Sequence, residues 1–297
     1  MSPVHHTAAG LSSSLTVTIL VVLVSFLYER GWFRTQKVSE RAIRGWRLAS
    51  FVSGMFLVWA ALGSPLAAYD HDLLTVHMIQ HLLLMTFAPA LILLGEPLLA
   101  FWDELPSSRK IVLGGLFRRP LAQRFARALS RPALCWIVST STLLGWHLPG
   151  LFALGMKSEV WHSVEQASFL VAGFLFWLPV IQPWPSVSNG PRSSILLYLF
   201  LATLPCDLLS GFLVFSDRVA YPVYVSMPRR FGFSVLEDQQ CAAALMWTCV
   251  TLVYLVPAAI LSTRLLSPRS FCRGDSMQSE LRGGATSQPD SQRLEAV

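Results

Sequence analysis

His77-Met78-Ile79-Gln80-His81 carries two imidazoles four residues apart. On an α-helix that spacing sets them about 40° apart around the axis and one turn along it, the geometry of a two-histidine metal grip. Met85 follows one turn later, so the spacing predicts a His, His, Met ladder down one helix face. Imidazole suits copper and zinc and a thioether selects the soft cuprous ion, so copper fits this ladder better than magnesium or calcium. His147 lies in Trp146-His147-Leu148-Pro149-Gly150, where the proline and glycine break the helix and free the ring at a cavity edge. His162 and Glu165 are three apart, which lets the carboxylate accept the second ring N–H and fix the tautomer. An ordinary interfacial pair explains the same spacing. Asp207 is the only acid deep inside an apolar run, and Asp238 opens another such run with Gln239. Asp238 fits either a ligand or a cap at the positive end of a helix dipole. The candidate metal ligands are therefore His77, His81, His147, His162, Asp207, Asp238 and Met85. His71, Glu165, Cys206, Cys241 and Met246 stand behind them as second choices.

These side chains need a membrane to position them. Hydrophobic residues make up 53% of the 297 positions and charged residues 13%, about half the charged share usual in a soluble domain. Seven segments reach the roughly 20 apolar residues that a spanning helix needs: Leu11–Tyr28, Leu48–Ala68, Val76–Leu94, Pro132–Leu151, Trp161–Ile181, Ser193–Phe215 and Gln239–Leu261. The expected fold is an all-α seven-helix membrane bundle over residues 15–263. A short segment, 1–14, precedes it, and a polar tail, 264–297, is expected to be disordered. Leu98–Trp102 is too short to cross and suits the interface, where Trp is favoured. Glu29 and Arg30 follow the first run in place of a cleavage site, so that run reads as an uncleaved anchor.

Lys and Arg concentrate in the first connection (Arg30 to Arg47) and the third (Arg109 to Arg131), which the positive-inside rule places in the cytoplasm. Lys157, Arg218, Arg229 and Arg230 dissent on the other side. The N-terminus is then outside, the C-terminus is inside, and all seven histidines, His5 and His6 included, fall at the outer end. The net charge of +6 arises from these topology signals, not from a nucleic-acid surface. Five cysteines without a C-x-x-C pair indicate neither a disulfide framework nor a zinc ribbon.

The stretch Tyr69-Asp70-His71-Asp72-Leu73-Leu74-Thr75-Val76-His77-Met78-Ile79-Gln80-His81 resembles the signature of the multi-spanning CtaG family of cytochrome c oxidase assembly factors. The likeness continues through Trp146-His147-Leu148-Pro149, Phe176-Trp177-Leu178-Pro179, Tyr221-Pro222-Val223-Tyr224 and Asp238-Gln239-Gln240 with Met246-Trp247, from about Leu48 to Leu261. The resemblance implies a non-catalytic bacterial inner-membrane protein required for a functional haem-copper oxidase. Expected partners are membrane lipids, oxidase subunits and a periplasmic copper chaperone, and the expected cargo is copper. Two departures stand out: Gln166 replaces a histidine expected in a His-x-x-x-His pair of the fifth helix, and Cys241-Ala242-Ala243 replaces an expected Gly-rich step.

Two other classes compete. Histidines on different spans suit a haem- or quinone-binding redox protein, and a copper transporter needs polar groups continuing inward, where the spans are largely apolar. A rhodopsin is excluded because Lys37, Lys110 and Lys157 all lie in loops. A zinc protease is excluded because no His-Glu-x-x-His occurs.

Overall fold

In lipid an apolar segment must satisfy its own backbone, and a helix does so within one segment. The computed structural model describes residues 3–38, 44–117, 119–129, 131–182, 193–227 and 232–266, with no strand among them. Helix α1 (Pro3–Val38) and α2 (Gly45–Leu62) lead through a 3-10 turn (Pro65–Tyr69) to α3 (Leu74–Leu94). Three short helices follow: α4 (Pro97–Glu104), α5 (Ser107–Phe117) and α6 (Pro120–Leu129). Then come α7 (Pro132–Trp146), α8 (Pro149–Lys157), α9 (Glu159–Ile181), α10 (Ser193–Val214), a 3-10 turn (Pro222–Ser226) and α11 (Val235–Leu266). Among the described residues six helices are long and apolar enough to cross a membrane, and α7 with α8 adds a seventh if that pair, bent by 73°, is one span. The break falls where Leu148 turns extended ahead of Pro149, because a proline disfavours the helical conformation of its predecessor.

The tail from 267 onward, Cys272, and Arg41, Arg118, Arg192, Arg229 and Arg230 of the charged loops lie outside the described residues. The side chains of His5 and His6 do too. Leu98–Trp102 forms most of α4, which packs on α1 with Leu99 and Ala100 buried.

Helix α3 holds the centre, packed against α2, α9 and α11. Of its most apolar window 67% is buried, against 17% for α11. Its winding changes immediately after His81, where Leu82–Phe87 form a π-helical stretch. Pro89 has no N–H to offer the Met85 carbonyl four residues back, and a wider turn relieves the clash of its ring there. The indole of Trp177 on α9 donates to the Thr86 carbonyl at 2.9 Å. Gly173 makes this approach of α9 possible, since a Cβ there would lie 2.5 Å from the Met85 carbonyl oxygen.

The first turn of α3 has no cap of its own. Asp238, from α11, supplies one: its carboxylate accepts from the amides of Leu74 at 2.7 Å and Thr75 at 3.0 Å, and from the Thr75 hydroxyl at 2.6 Å. Gln239 beside it accepts from the Ala220 amide at 2.7 Å and donates to the Leu213 and Arg218 carbonyls, anchoring the connection between α10 and α11. Replacing Asp238 by Ala leaves two helix-start amides without their acceptor, and thermal unfolding in detergent should show a loss of about 1–3 kcal/mol. An unchanged midpoint would show that this cross-helix cap carries no stability.

Candidate metal centre

The site forms where the starts of α3, α9 and α11 meet the α7–α8 break and the connections after α2 and α10. His77 and His81 project from the first two turns of α3, their ring centroids 4.3 Å apart. Glu165 reaches them from α9, with Oε1 at 3.5 Å from His77 Nε2 and 3.4 Å from His81 Nε2. Its Oε2 lies 3.4 Å from His162 Nδ1, one turn earlier on the same helix. Room for this carboxylate comes from Gly155 on α8, where a Cβ would stand 2.7 Å from Oε2. One donor atom each from His77, His81 and Glu165 lies within 4.8 Å of the others, and all three residues are buried.

A second group abuts the first. Asp70, His71 and His162 also present donor atoms within 4.8 Å of one another, and His162 Nε2 lies 3.0 Å from Asp70 Oδ2. The His162 ring thus links the two groups, with Asp70 at one nitrogen and Glu165 at the other. Gln166, four residues on, sets its side-chain amide 2.9 Å from His162 Nε2. Burial works to raise the Asp70 carboxyl, but the His162 hydrogen bond and the neighbouring His71 outweigh it and hold the carboxyl below its usual range. Burial also lowers His71, against the pull of Asp70. Both shifts favour the ligating forms, an ionised carboxylate and a neutral ring.

The connection after α10 closes over these groups. Tyr221 donates to the His147 carbonyl at 3.2 Å, and Tyr224 donates to the Asp70 carbonyl at 2.8 Å. Phe152 of α8 lies against both tyrosines and against His77. From α7, Trp146 donates to Ser168 of α9 at 2.8 Å, and the Ser168 hydroxyl donates to the Glu165 carbonyl at 2.7 Å, fixing the turn of α9 that carries the carboxylate. Gln80 donates to Ala61 of α2 at 3.1 Å, which holds α3 from its other side.

The sequence candidates separate accordingly. His77, His81, His162, Glu165 and His71 come together in the two groups. His147, Met85, Cys206 and Met246 line a cavity beside them that His81 also lines. Asp238 caps α3, as described above, with both carboxylate oxygens engaged. Asp207 is half-buried on α10 and belongs to neither group, and Cys241 is exposed. Asp70 is not among the sequence candidates because it reads as one more acid in a polar turn. Its place beside His71 in the Tyr69-Asp70-His71-Asp72 stretch was the available signal.

Seven buried side-chain atoms of the cluster have no hydrogen-bond partner: both ring nitrogens of His77 and of His81, His162 Nδ1, and both oxygens of Glu165. A buried polar atom left so costs about 1–3 kcal/mol. A cation held among two imidazoles and a carboxylate would satisfy several of these atoms at once, and this mixed nitrogen and oxygen set suits copper or zinc.

Among curated proteins, an uncharacterised protein of Mycobacterium bovis is 24% identical over 229 residues, covering 73% of this chain and 34% of that relative. An uncharacterised protein of Mycobacterium leprae is 21% identical over 249 residues, covering 79% and 36%. The chain spans about a third of the length of these relatives. No solved structure matches it. The family model described as cytochrome c oxidase caa3 assembly factor matches residues 26–267, and the chain belongs to that family.

Proposed function

We propose that this multi-pass membrane protein binds copper through His77, His81 and Glu165, with His162, Asp70 and His71 adjoining, and passes it to nascent haem-copper oxidase. Membership of an oxidase assembly family supplies the process. The observation that carries the metal is the convergence of three buried donors within 4.8 Å, their nitrogens and oxygens unmatched by hydrogen bonds. The role is non-catalytic: the site receives and releases an ion. The basic connections orient the cluster toward the outer face of the bacterial plasma membrane, where a copper chaperone would load it and oxidase subunits would collect from it.

Copper titration of the full chain in detergent tests the site, with visible spectra recorded for haem. The His77→Ala, His81→Ala double variant should bind copper at least about tenfold more weakly than wild type, since even loss of a group that only hydrogen-bonds a ligand costs that much. Equal uptake by the two proteins would discard the site. Protons compete with the metal for the donor atoms, so wild-type uptake should fall as the pH drops. Gly155→Ala should displace the Glu165 carboxylate and weaken copper. Unaltered affinity in that variant would mean the carboxylate is not a ligand.

In a strain lacking the gene, oxidase activity should be low and partly restored by added copper. A Glu165→Gln copy present at normal level should fail to replace wild type without copper supplementation. Full complementation by that copy would separate assembly from metal delivery.

A further inference from the structure

We propose that the cavity beneath His81 is a second site, selective for a soft monovalent cation, in which His147 Nε2 and the Met78 sulfur hold a cuprous ion. The inference rests on the copper reading for the identity of the ion, while its geometry is separate. The His147 Nδ1 lies 2.7 Å from the Leu143 carbonyl. A carbonyl only accepts, so Nδ1 carries the proton, and in the neutral, metal-binding form of the ring the lone pair points outward from Nε2. That nitrogen faces Met78 Sδ at 3.3 Å. A thioether has no proton either, so the two atoms oppose lone pair to lone pair. Metal–nitrogen and metal–sulfur bonds of about 2.0–2.1 and 2.3 Å at a tetrahedral angle separate their donor atoms by about 3.5 Å. The observed spacing is close to that bite.

The surroundings have the same chemistry. Met85 and Met246 bring two more thioethers to the cavity wall, Cys206 a thiol and His81 an imidazole. Both nitrogens of His81 are buried without a hydrogen-bond partner. Among the described residues no Asp or Glu lines the cavity, whereas the cluster above it is built around Glu165 and Asp70. Thioether and imidazole without carboxylate favour cuprous copper over harder divalent ions. The cavity volume is about 40 Å³, and one water needs about 10–15 Å³, so an ion fits. The carboxylate cluster and the sulfur-lined cavity share His81, and they form two sites of graded softness along α3.

The test uses the full chain in detergent, without oxygen, titrated with cuprous ion against a chromophoric chelator and with silver(I) as a redox-inert probe. Met78→Leu preserves volume and should lower cuprous affinity at least about tenfold, while cupric uptake at the Glu165 cluster persists. X-ray absorption of cuprous wild type should show sulfur at about 2.3 Å, and selenomethionine-labelled protein should show a copper–selenium neighbour. The second measurement holds even if the variant folds poorly. The His77→Ala, Glu165→Gln double variant should lose cupric uptake yet keep the sulfur signal, so failure of the upper site is read separately. Unchanged cuprous affinity in Met78→Leu, nitrogen and oxygen neighbours alone in wild type, or loss of the sulfur signal in the double variant would overturn the proposal.

Discussion

The Glu165 carboxylate is the constraint around which the rest of the bundle is arranged. It is 1% exposed, and an ionised carboxylate taken out of water loses several kcal/mol of solvation even after the protein relaxes. Three imidazoles at 3.4–3.5 Å are the compensation available to it. Two come from α3 and one from α9, so these helices must meet closely and in one register. Gly173 admits the contact, Gly155 yields space to the carboxylate, and Ser168 bonds the backbone of Glu165 itself.

Register is then enforced from outside the cluster by residues that never touch its donor atoms. Asp238 fixes where α3 begins, Gln80 ties α3 to α2, and Gln239 anchors the connection whose tyrosines bond the backbones of Asp70 and His147. A slip of one residue in α3 would rotate His77 and His81 by about 100° away from Glu165. Gln80, which lies between the two histidines, is therefore part of the positioning, and Met78 faces the neighbouring cavity.

Much of this is legible in the sequence. The i and i+4 spacing placed His77 and His81 on one face, and threading the apolar runs brought His147 and His162 to the same end. The spacing of His162 and Glu165 also anticipated a contact. What stayed hidden depends on pairing between distant segments, which local periodicity does not encode. Asp238 opens α11, and nothing in its own neighbourhood says that it caps α3. Asp70 lies 92 positions from the His162 it bonds. The π-helical winding after His81 follows from Pro89 meeting a close α9, and only the proline is visible in the sequence. The helices α4 to α6 were obscured because arginines and short apolar pieces alternate there, which reads equally well as a charged loop.

The way the rings are held bears on how firmly an ion would stay. In tightly binding sites a ligand imidazole donates its second N–H to a carbonyl or carboxylate, which locks its tautomer and raises its basicity. His147 is held this way by Leu143, and His162 by Asp70. His77 and His81 are held by ring packing: Phe169 stacks on His81 at 3.9 Å, and Phe152 tilts against His77 at 5.1 Å. Packing fixes where a ring sits, and the shared carboxylate faces each Nε2 at 3.4–3.5 Å without a hydrogen bond, which holds the tautomer only weakly. A site built from two such rings and one carboxylate is preorganised in position and loose in tautomer. That combination suits an ion that must be caught and then given up, and it places the more firmly anchored imidazole, His147, at the deeper cavity.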